Sequence, residues 1–408
     1  MPFGLLGKKL SHSYSPFLHR CITGGAYEYE LFEKEENEVA DFVQSNVYDG
    51  MNVTIPYKKT VLPYMTRLTP EAERIGAVNT VTRLPGGGLL GDNTDYFGFC
   101  CLLKRAEMNV TGKKVLVLGS GGAAQTAITV FRDKKAKEVV VVSRNGENNY
   151  HNLHLHRDAE FIINATPVGM FPNNGVAPLS VADFPQCQGV ADMIYNPSVT
   201  ELLRQAKQQG CKTVNGLPML CAQAFRSAER FLRQKLDESL IEKAIADTER
   251  SMKNLVLIGM PGCGKSTVAS LLSKRLQRQV IDTDTEIEHK LGRDIPSVFA
   301  EKGEAFFRET EAEVCKEVGK RSQTVIATGG GAVLRKENIH ALKQNATVVF
   351  LEKPLEALAT QNRPLSQNGN LEKLYQERLP IYKEACDFSV EVSENADETV
   401  ERILEVLP

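Results

Sequence analysis

Paired cysteine motifs, a long apolar run and an excess of charge of either sign are all missing from this 408-residue sequence. Its nine cysteines are scattered, and none stands in a C-x-x-C pair. Adjacent Cys100 and Cys101 suit neither a disulfide framework nor a zinc site, so the cysteines read as free thiols in a reducing compartment. A formal net charge of -2 gives no electrostatic case for nucleic acid or an acidic membrane as partner. No apolar run approaches the ~20 residues that span a bilayer. The opening stretch, Met1-Pro2-Phe3-Gly4-Leu5-Leu6-Gly7, lacks an apolar signal core. A cytoplasmic location is therefore expected. Internal repeats and low-complexity segments are absent too. What is there is ordinary for globular protein, 42% hydrophobic and 25% charged, at a length that suits two or three domains.

Two apolar runs break into glycine-rich turns. Val115-Leu116-Val117-Leu118 leads into Gly119-Ser120-Gly121-Gly122, and Leu255-Val256-Leu257-Ile258 leads into Gly259-Met260-Pro261-Gly262-Cys263-Gly264. Each turn then opens into a helical pattern. That is how parallel α/β domains build a phosphate site. Two such turns predict two nucleotide domains. Between them, residues 222–252 lack glycine and proline and carry apolar residues at helical spacing, so they read as helix. Their charged end suggests a helical linker over 236–252 and a boundary near residue 250.

In the second half, residues 259–266 fit G-x-x-x-x-G-K-S/T in full. The glycines let backbone N–H groups close around phosphates, Lys265 reaches the outer ones, and the Ser266 hydroxyl can ligate Mg²⁺. Asp282-Thr283-Asp284 ends a second apolar run, at a strand's carboxyl end where open sheets bind ligands. One carboxylate there can anchor the metal through water and the other can accept a hydroxyl proton. Taken alone, the same triplet describes a solvated turn. Arg308 has Glu311 one helical turn on, able to orient its guanidinium. Gly329-Gly330-Gly331 after Val325-Ile326-Ala327 permits close backbone approach, or simply a turn. Arg363-Pro364-Leu365 and Arg378-Leu379-Pro380-Ile381-Tyr382 follow.

In that order these motifs resemble the shikimate kinases over residues 253–408. The resemblance implies one parallel sheet flanked by helices, with a lid near 355–370. It implies that Gly262, Cys263, Gly264, Lys265, Ser266, Thr267 and the lid's Arg363 bind ATP. Asp284, Arg308, Gly330 and Arg378 would hold shikimate, with Asp284 as the catalytic base, and Phe299 and Phe307 would wall the pocket. Ser266 and Asp282 would serve Mg²⁺. Planar bidentate cations suit an anionic ring acid. One departure is Leu358-Ala359-Thr360-Gln361-Asn362, where many family members carry a second basic residue.

In the first half, Gly119-Ser120-Gly121-Gly122-Ala123-Ala124 approaches the dinucleotide turn, with Ala124 in the last position. Arg144 follows the run Val139–Val142, where NAD enzymes carry an acid; an arginine suits the extra phosphate of NADP, and equally a solvated loop. Ser13 and Ser15 fall on one side of an extended segment, if they do not merely cap a helix. Lys58 and Asp95, each alone, read as surface charges. The ordered set S-x-S-P, N-V-T-x-P-x-K, G-A-V-N-T, G-D-N-T-D, G-x-G-G-A, N-A-T-P-x-G-M, D-M-x-Y-N-P and N-G-L-x-M-L-x-x-Q-A resembles shikimate dehydrogenase over residues 1–235. It implies a two-lobed enzyme, with a substrate domain over 1–97 completed by about 216–240. A Rossmann-like NADP-binding domain would run over 98–215. Ser13, Ser15, Thr54, Asn79, Tyr195 and Gln223 would hold the substrate and Lys58 and Asp95 would be catalytic. Gly119, Gly121, Gly122, Ala123, Ser143, Arg144, Met193 and Gly216 would line the NADPH site.

Two departures stand out. Residues 145–156 are too short and polar for the usual helix, which trims the adenosine side. Their histidines, 151, 154 and 156, read as an exposed loop rather than a metal site. Pro218 stands where the family often has glycine. The leading expectation is a bifunctional enzyme on the route to chorismate and aromatic amino acids. It would reduce 3-dehydroshikimate to shikimate and phosphorylate the shikimate, with small molecules as its partners. The rival readings are a kinase joined to a non-catalytic shikimate-binding domain, and a sensor without turnover.

Overall fold

The computed structural model describes residues 1–11, 13–358 and 371–407. The chain divides into two compact units, Met1–Thr248 and Glu249–Pro408.

Unit 1 holds two sheets. The first comprises β1 (Phe3–Gly7), β2 (Tyr29–Glu33), β3 (Gly50–Val53), β4 (Arg67–Leu68), β5 (Thr80–Arg83) and β6 (Leu89–Asp92), in the order β2-β1-β3-β5-β6-β4. Strand β5 runs antiparallel to β3 and β6, and the other pairings are parallel. The second sheet is wholly parallel: β7 (Lys114–Leu118), β8 (Glu138–Val142), β9 (Phe161–Asn164), β10 (Gly189–Asp192) and β11 (Lys212–Val214), in the order β11-β10-β9-β7-β8. Its inner strands are mostly apolar, with polar residues at their ends, because both faces are covered. In β7, Val115 and Val117 enter one core with Phe99, Leu102 and Phe131. Leu116 and Leu118 enter the opposite core with Leu202 and Leu203, as a two-residue side-chain period requires. The strand order reverses between β7 and β9, which puts the binding crevice at the turn after β7. The crossover from β8 to β9 carries a single 3₁₀ turn, Leu153–His156. Its His156 Nε2 lies 2.9 Å from Asn148 Oδ1.

Helix Asp95–Arg105 connects the sheets, and helix Leu217–Leu232 returns the chain to the first. The run expected as one helix over 222–252 is two. Arg233 takes a left-handed conformation (φ 53°) and ends the first helix; the second runs Ser239–Met252. Nor is the stretch a free spacer. Ile241, Ala244 and Ile245 are buried with Leu18, Ile22 and Phe225. A three-to-four-residue apolar period made both helices visible, but not the break, because the breaking residue is an ordinary arginine rather than glycine or proline.

Unit 2 is one parallel sheet: β12 (Asn254–Ile258), β13 (Gln279–Asp282), β14 (Thr324–Ala327), β15 (Ala346–Glu352) and β16 (Phe388–Glu391), in the order β13-β14-β12-β15-β16. The central strand β12 is buried along its whole length. Phe350 of β15 stacks on Tyr382 of the helix Leu371–Ala385, ring centroids 5.1 Å apart. The helix Ile295–Gly319 is kinked at Gly303 (φ 78°, ψ 173°), and the kink brings Phe299 to 4.7 Å from Phe307. Among the described residues, no helix is long and apolar enough to cross a membrane.

Candidate active sites

The first site starts at two strand ends. Beyond β3 the chain passes Thr54 and turns to Lys58. Beyond β6 it passes Asn93 and Thr94 to Asp95, the first residue of helix Asp95–Arg105. A carboxylate is favoured there by the helix dipole. Lys58 Nζ donates to Asp95 Oδ2 at 2.6 Å, with the side chains 24% and 13% exposed. The pair is thus half-sheltered and still reachable by a ligand.

A buried polar network holds these strand ends in register. Asn79 Oδ1 accepts from the Thr94 amide (2.7 Å) and the Thr80 hydroxyl (3.0 Å). Asn52 Nδ2 donates to Ser227 Oγ (2.8 Å) and Thr80 Oγ1 (3.0 Å). Asn52 Oδ1 accepts from Tyr29 (2.8 Å) and lies 3.1 Å from His19 Nε2. Burial pushes the His19 imidazole down to about 3, so the ring is neutral. Donation from Nε2 to Asn52 then leaves Nδ1 to accept from the Tyr27 hydroxyl, 2.5 Å away.

Above the network lies a cavity of about 630 Å³. Ser13, Ser15, Thr54, Lys58, Asn79, Asp95, Tyr195 and Gln223 all line it, joined on the side of the second sheet by Ala123, Met193 and Gly216. Only glycine fits at position 216, because a Cβ there would overlap the Met193 carbonyl. Gly119, Gly121, Gly122, Ser143 and Arg144 lie outside this lining, at the carboxyl ends of β7 and β8. The Gly119 amide donates to Val142 O at 2.8 Å, the Ser143 amide to Asn148 O at 3.1 Å, and Arg144 is exposed. Ser13 and Ser15 do not share an extended segment. Tyr14 between them is helical (φ -82°, ψ -3°) and Ser15 opens the helix Ser15–Thr23, its amide donating to Ser13 Oγ at 3.2 Å. The local hydrogen bond outcompetes extension.

Asp192, at the end of β10, is a further organising residue. It accepts from Asn164 Nδ2 (3.0 Å), the Ile194 amide (3.0 Å) and Thr200 Oγ1 (2.7 Å). Burial raises its carboxyl to about 6. It ties down the loop that presents Met193 and Tyr195.

The second site gathers at the carboxyl ends of β12, β13 and β14, around a cavity of about 610 Å³. Gly262, Gly264, Lys265, Ser266, Thr267, Asp282, Asp284, Phe299, Phe307, Arg308, Gly330 and Arg378 all line it. Cys263 is fully buried beneath the loop, and Arg363 lies outside the described residues. Lys265 Nζ donates to the carbonyls of Gly259 (2.8 Å) and Met260 (2.9 Å). Ser266 Oγ donates to Asp282 Oδ2 at 2.6 Å, and Asp282 Oδ1 accepts from the Asp284 amide at 3.0 Å. Desolvation, then the neighbouring Asp282 charge, raise the Asp284 carboxyl to about 6.

Arg308 is gripped from two sides, by Glu311 (2.8 Å) and Glu304 (3.1 and 3.2 Å). Arg378 donates to Gly330 O at 3.2 Å, and Tyr382 donates to the same oxygen. The glycine run lets the two charged side chains approach the backbone closely. A Cβ at 329 would sit 2.5 Å from Asp284 Oδ1, and one at 331 would overlap the Arg308 guanidinium.

A family model described as the shikimate dehydrogenase substrate binding domain matches residues 5–81. One described as shikimate kinase matches residues 261–408. The shikimate dehydrogenase (NADP(+)) of Clostridium perfringens is 36% identical over 260 residues, covering 59% of this chain and 96% of that protein. The chain belongs to the shikimate dehydrogenase family. Its dehydrogenase half resembles shikimate dehydrogenase 1 of Peptoclostridium difficile at 37% identity and a TM-score of 0.56, over 61% of this chain and 98% of that one. It also resembles a Thermus thermophilus shikimate 5-dehydrogenase solved with NADP(H) and shikimate, at 31% identity and a TM-score of 0.54, over 60% and 98%. Behind the dehydrogenase, the same chain carries a shikimate kinase domain. The chain is a bifunctional shikimate-pathway enzyme.

In the dehydrogenase half, His19, Asn52, Ser227 and Asp192 were not among the residues singled out from the sequence. A histidine inside an amphipathic helix, or a serine about three turns beyond Gly216, carries no motif of its own. Asn52 and Asp192 did have a signal, as the first residues of N-V-T-x-P-x-K and D-M-x-Y-N-P.

Proposed function

We propose that the dehydrogenase half reduces 3-dehydroshikimate to shikimate with NADPH, and that the kinase half phosphorylates shikimate with ATP. The observation that carries the reading is the Lys58–Asp95 pair inside a cavity whose lining also offers the hydroxyl and amide groups of Ser13, Ser15, Thr54, Asn79, Tyr195 and Gln223. Reducing a ketone leaves charge on its oxygen. The Lys58 ammonium stabilises that charge and donates the proton that neutralises it. Asp95 orients the ammonium and accepts from a ring hydroxyl. Ser13, Ser15, Thr54, Asn79, Tyr195 and Gln223 match the oxygen-rich ring. The glycine required at 216, beside Ala123 and Met193, suits a flat ring pressed against backbone, and the open N-terminal end of helix Gly122–Asp133 at Gly121 suits a pyrophosphate. When bound there, NADPH supplies the hydride. Ser143 and Arg144, just beyond the end of β8, would hold its extra phosphate.

In the kinase half, Arg308 and Arg378 are forks for the substrate carboxylate, with Gly330 between them. Asp284, whose carboxyl burial raises to about 6, accepts the proton of the attacking hydroxyl. The loop 262–267 binds the ATP phosphates through its amides and Lys265, with Arg363 in the same role. Ser266 and Asp282, 2.6 Å apart, are an oxygen pair that would hold Mg²⁺, which would supply positive charge beside the ATP phosphates. The product of the first reaction is the substrate of the second, which gives one chain a reason to carry both.

The test follows NADPH oxidation by purified protein with 3-dehydroshikimate, with and without ATP. Oxidation without ATP, and phosphorylated shikimate only with it, is expected. A protein that phosphorylates shikimate but leaves NADPH unconsumed would reduce the first half to a binding domain.

A further inference from the structure

The first unit carries a second concave surface, away from the cavity of Lys58. It is a pocket of about 400 Å³ whose lining includes six cations: Arg67, Arg83, Arg226, Arg230, Arg233 and Lys235. One acid, Glu229, lines it with them. This concentration of positive charge occurs in a chain whose formal net charge is -2. Among the described residues two carboxylates answer these six cations, Glu229 and the Asp92 that pairs with Arg230. Arg83 spends its donors on the backbone carbonyls of Tyr48 (2.8 Å) and Ser45 (2.5 Å), and Arg233 donates to the Arg83 carbonyl (3.0 Å). Arg226 and Lys235 share Glu229, at 2.7 and 3.6 Å. Arg67 has no hydrogen-bond or ion-pair partner for its guanidinium among the described residues. Like charges held this close repel, and a concave wall focuses their field on whatever enters.

Arg230 ties this pocket to the catalytic machinery. Its Nε donates to Asp92 Oδ2 at 2.7 Å. The other oxygen of Asp92 accepts from Thr69 Oγ1 (2.8 Å) and the Asn93 amide (2.7 Å), and its carbonyl accepts from the Asn79 amide (3.0 Å). Asp92 therefore braces the strand end that leads, three residues on, to Asp95. Arg226 and Arg230 also wall a smaller hollow of about 300 Å³ against Asp92, Asn93 and Thr94, so no further layer intervenes.

We propose that this pocket binds a small multivalent anion of the phosphate-ester class, and that the bound anion draws Arg230 from Asp92 and lowers dehydrogenase turnover. The size suits a small molecule, and arginine forks suit phosphate. A phosphorylated ring acid of the kind the second half is proposed to make belongs to this class. Binding itself does not rest on either proposed activity; the effect on turnover rests on the dehydrogenase reading.

The full chain is titrated with inorganic pyrophosphate by calorimetry, beside the variant Arg67→Gln/Arg233→Gln. The loop of the kinase half is common to both proteins, so the difference between them reports this pocket. Pyrophosphate affinity at the pocket should fall at least tenfold in the variant, and should weaken steeply with added salt in the wild type. In parallel, pyrophosphate should inhibit NADPH oxidation non-competitively with NADPH in the wild type and not in the variant, whose uninhibited rate is unchanged. Identical isotherms for the two proteins overturn the site, whatever the enzyme assays show. A lost binding step without any change in inhibition overturns the coupling through Arg230. Tighter binding of a short oligonucleotide than of pyrophosphate overturns the small-molecule class.

Discussion

Replacing Lys58 with alanine is predicted to collapse dehydrogenase turnover while leaving the kinase untouched. Lys58 is held 2.6 Å from Asp95 and its partner stands at a helix N-terminus, so the carboxylate stays in place when the ammonium is removed. What is lost is a placed proton donor. Such a group contributes about 10²–10⁴-fold. Lys9 also lines the cavity and water can enter, so the middle of that range applies, about 10³-fold in kcat or ~4 kcal/mol of barrier. NADPH binding should change by less than a few-fold, because Lys58 follows a strand of the first sheet while the residues proposed for the cofactor flank the second. The assay compares kcat for 3-dehydroshikimate reduction with kcat for shikimate phosphorylation in the same preparation. The second number is an internal control for folding. A Lys58→Ala protein with intact kinase activity and dehydrogenase kcat within tenfold of wild type would refute the role given to Lys58.

Two further predictions concern pH. Asp284 must be ionised to accept a proton, and its carboxyl is raised to about 6, so kinase kcat/KM should fall roughly tenfold between pH 7 and pH 5. A profile flat to pH 5 would remove Asp284 as the base. His19 moves in the opposite direction for the same reason, its folded value being lowered from 6.5 to about 3 by burial. The unfolded chain binds this proton first, so the contribution is whole above about pH 6.5 and is lost as pH falls toward 3, by up to about 1.4 kcal/mol per pH unit. Urea unfolding of wild type and His19→Gln at pH 7 and pH 5 should show the steeper loss in wild type; equal losses would mean His19 is not buried neutral.

Much of both sites was legible because their motifs are local demands on the backbone. A loop that wraps phosphate needs Gly262 and Gly264 within a few residues of Lys265 and Ser266, and a strand must deliver it. Such spacing survives in the string of letters. The eight residues proposed for the substrate and catalysis in the first half likewise sit in short runs, and one cavity collects them. The NADP set was only partly collected there. Ala123, Met193 and Gly216 reach the cavity, whereas Ser143 and Arg144 sit at the end of a neighbouring strand, where a longer molecule is needed to span both places.

The sequence by itself determined the two parallel-sheet units, the order of their glycine turns and the residue types available for chemistry, because side-chain period and turn geometry act over a handful of neighbours. The tertiary structure alone decided what those residues are worth. It made His19 neutral by burying it, raised Asp284 by setting it beside Asp282 out of water, ended a promising helix at Arg233, and crowded six cations from β4, β5 and the helix Leu217–Leu232 and its end into one hollow. Charge, solvation and proximity are set by partners as much as 175 residues apart, as Asn52 and Ser227 are, and no local pattern records them.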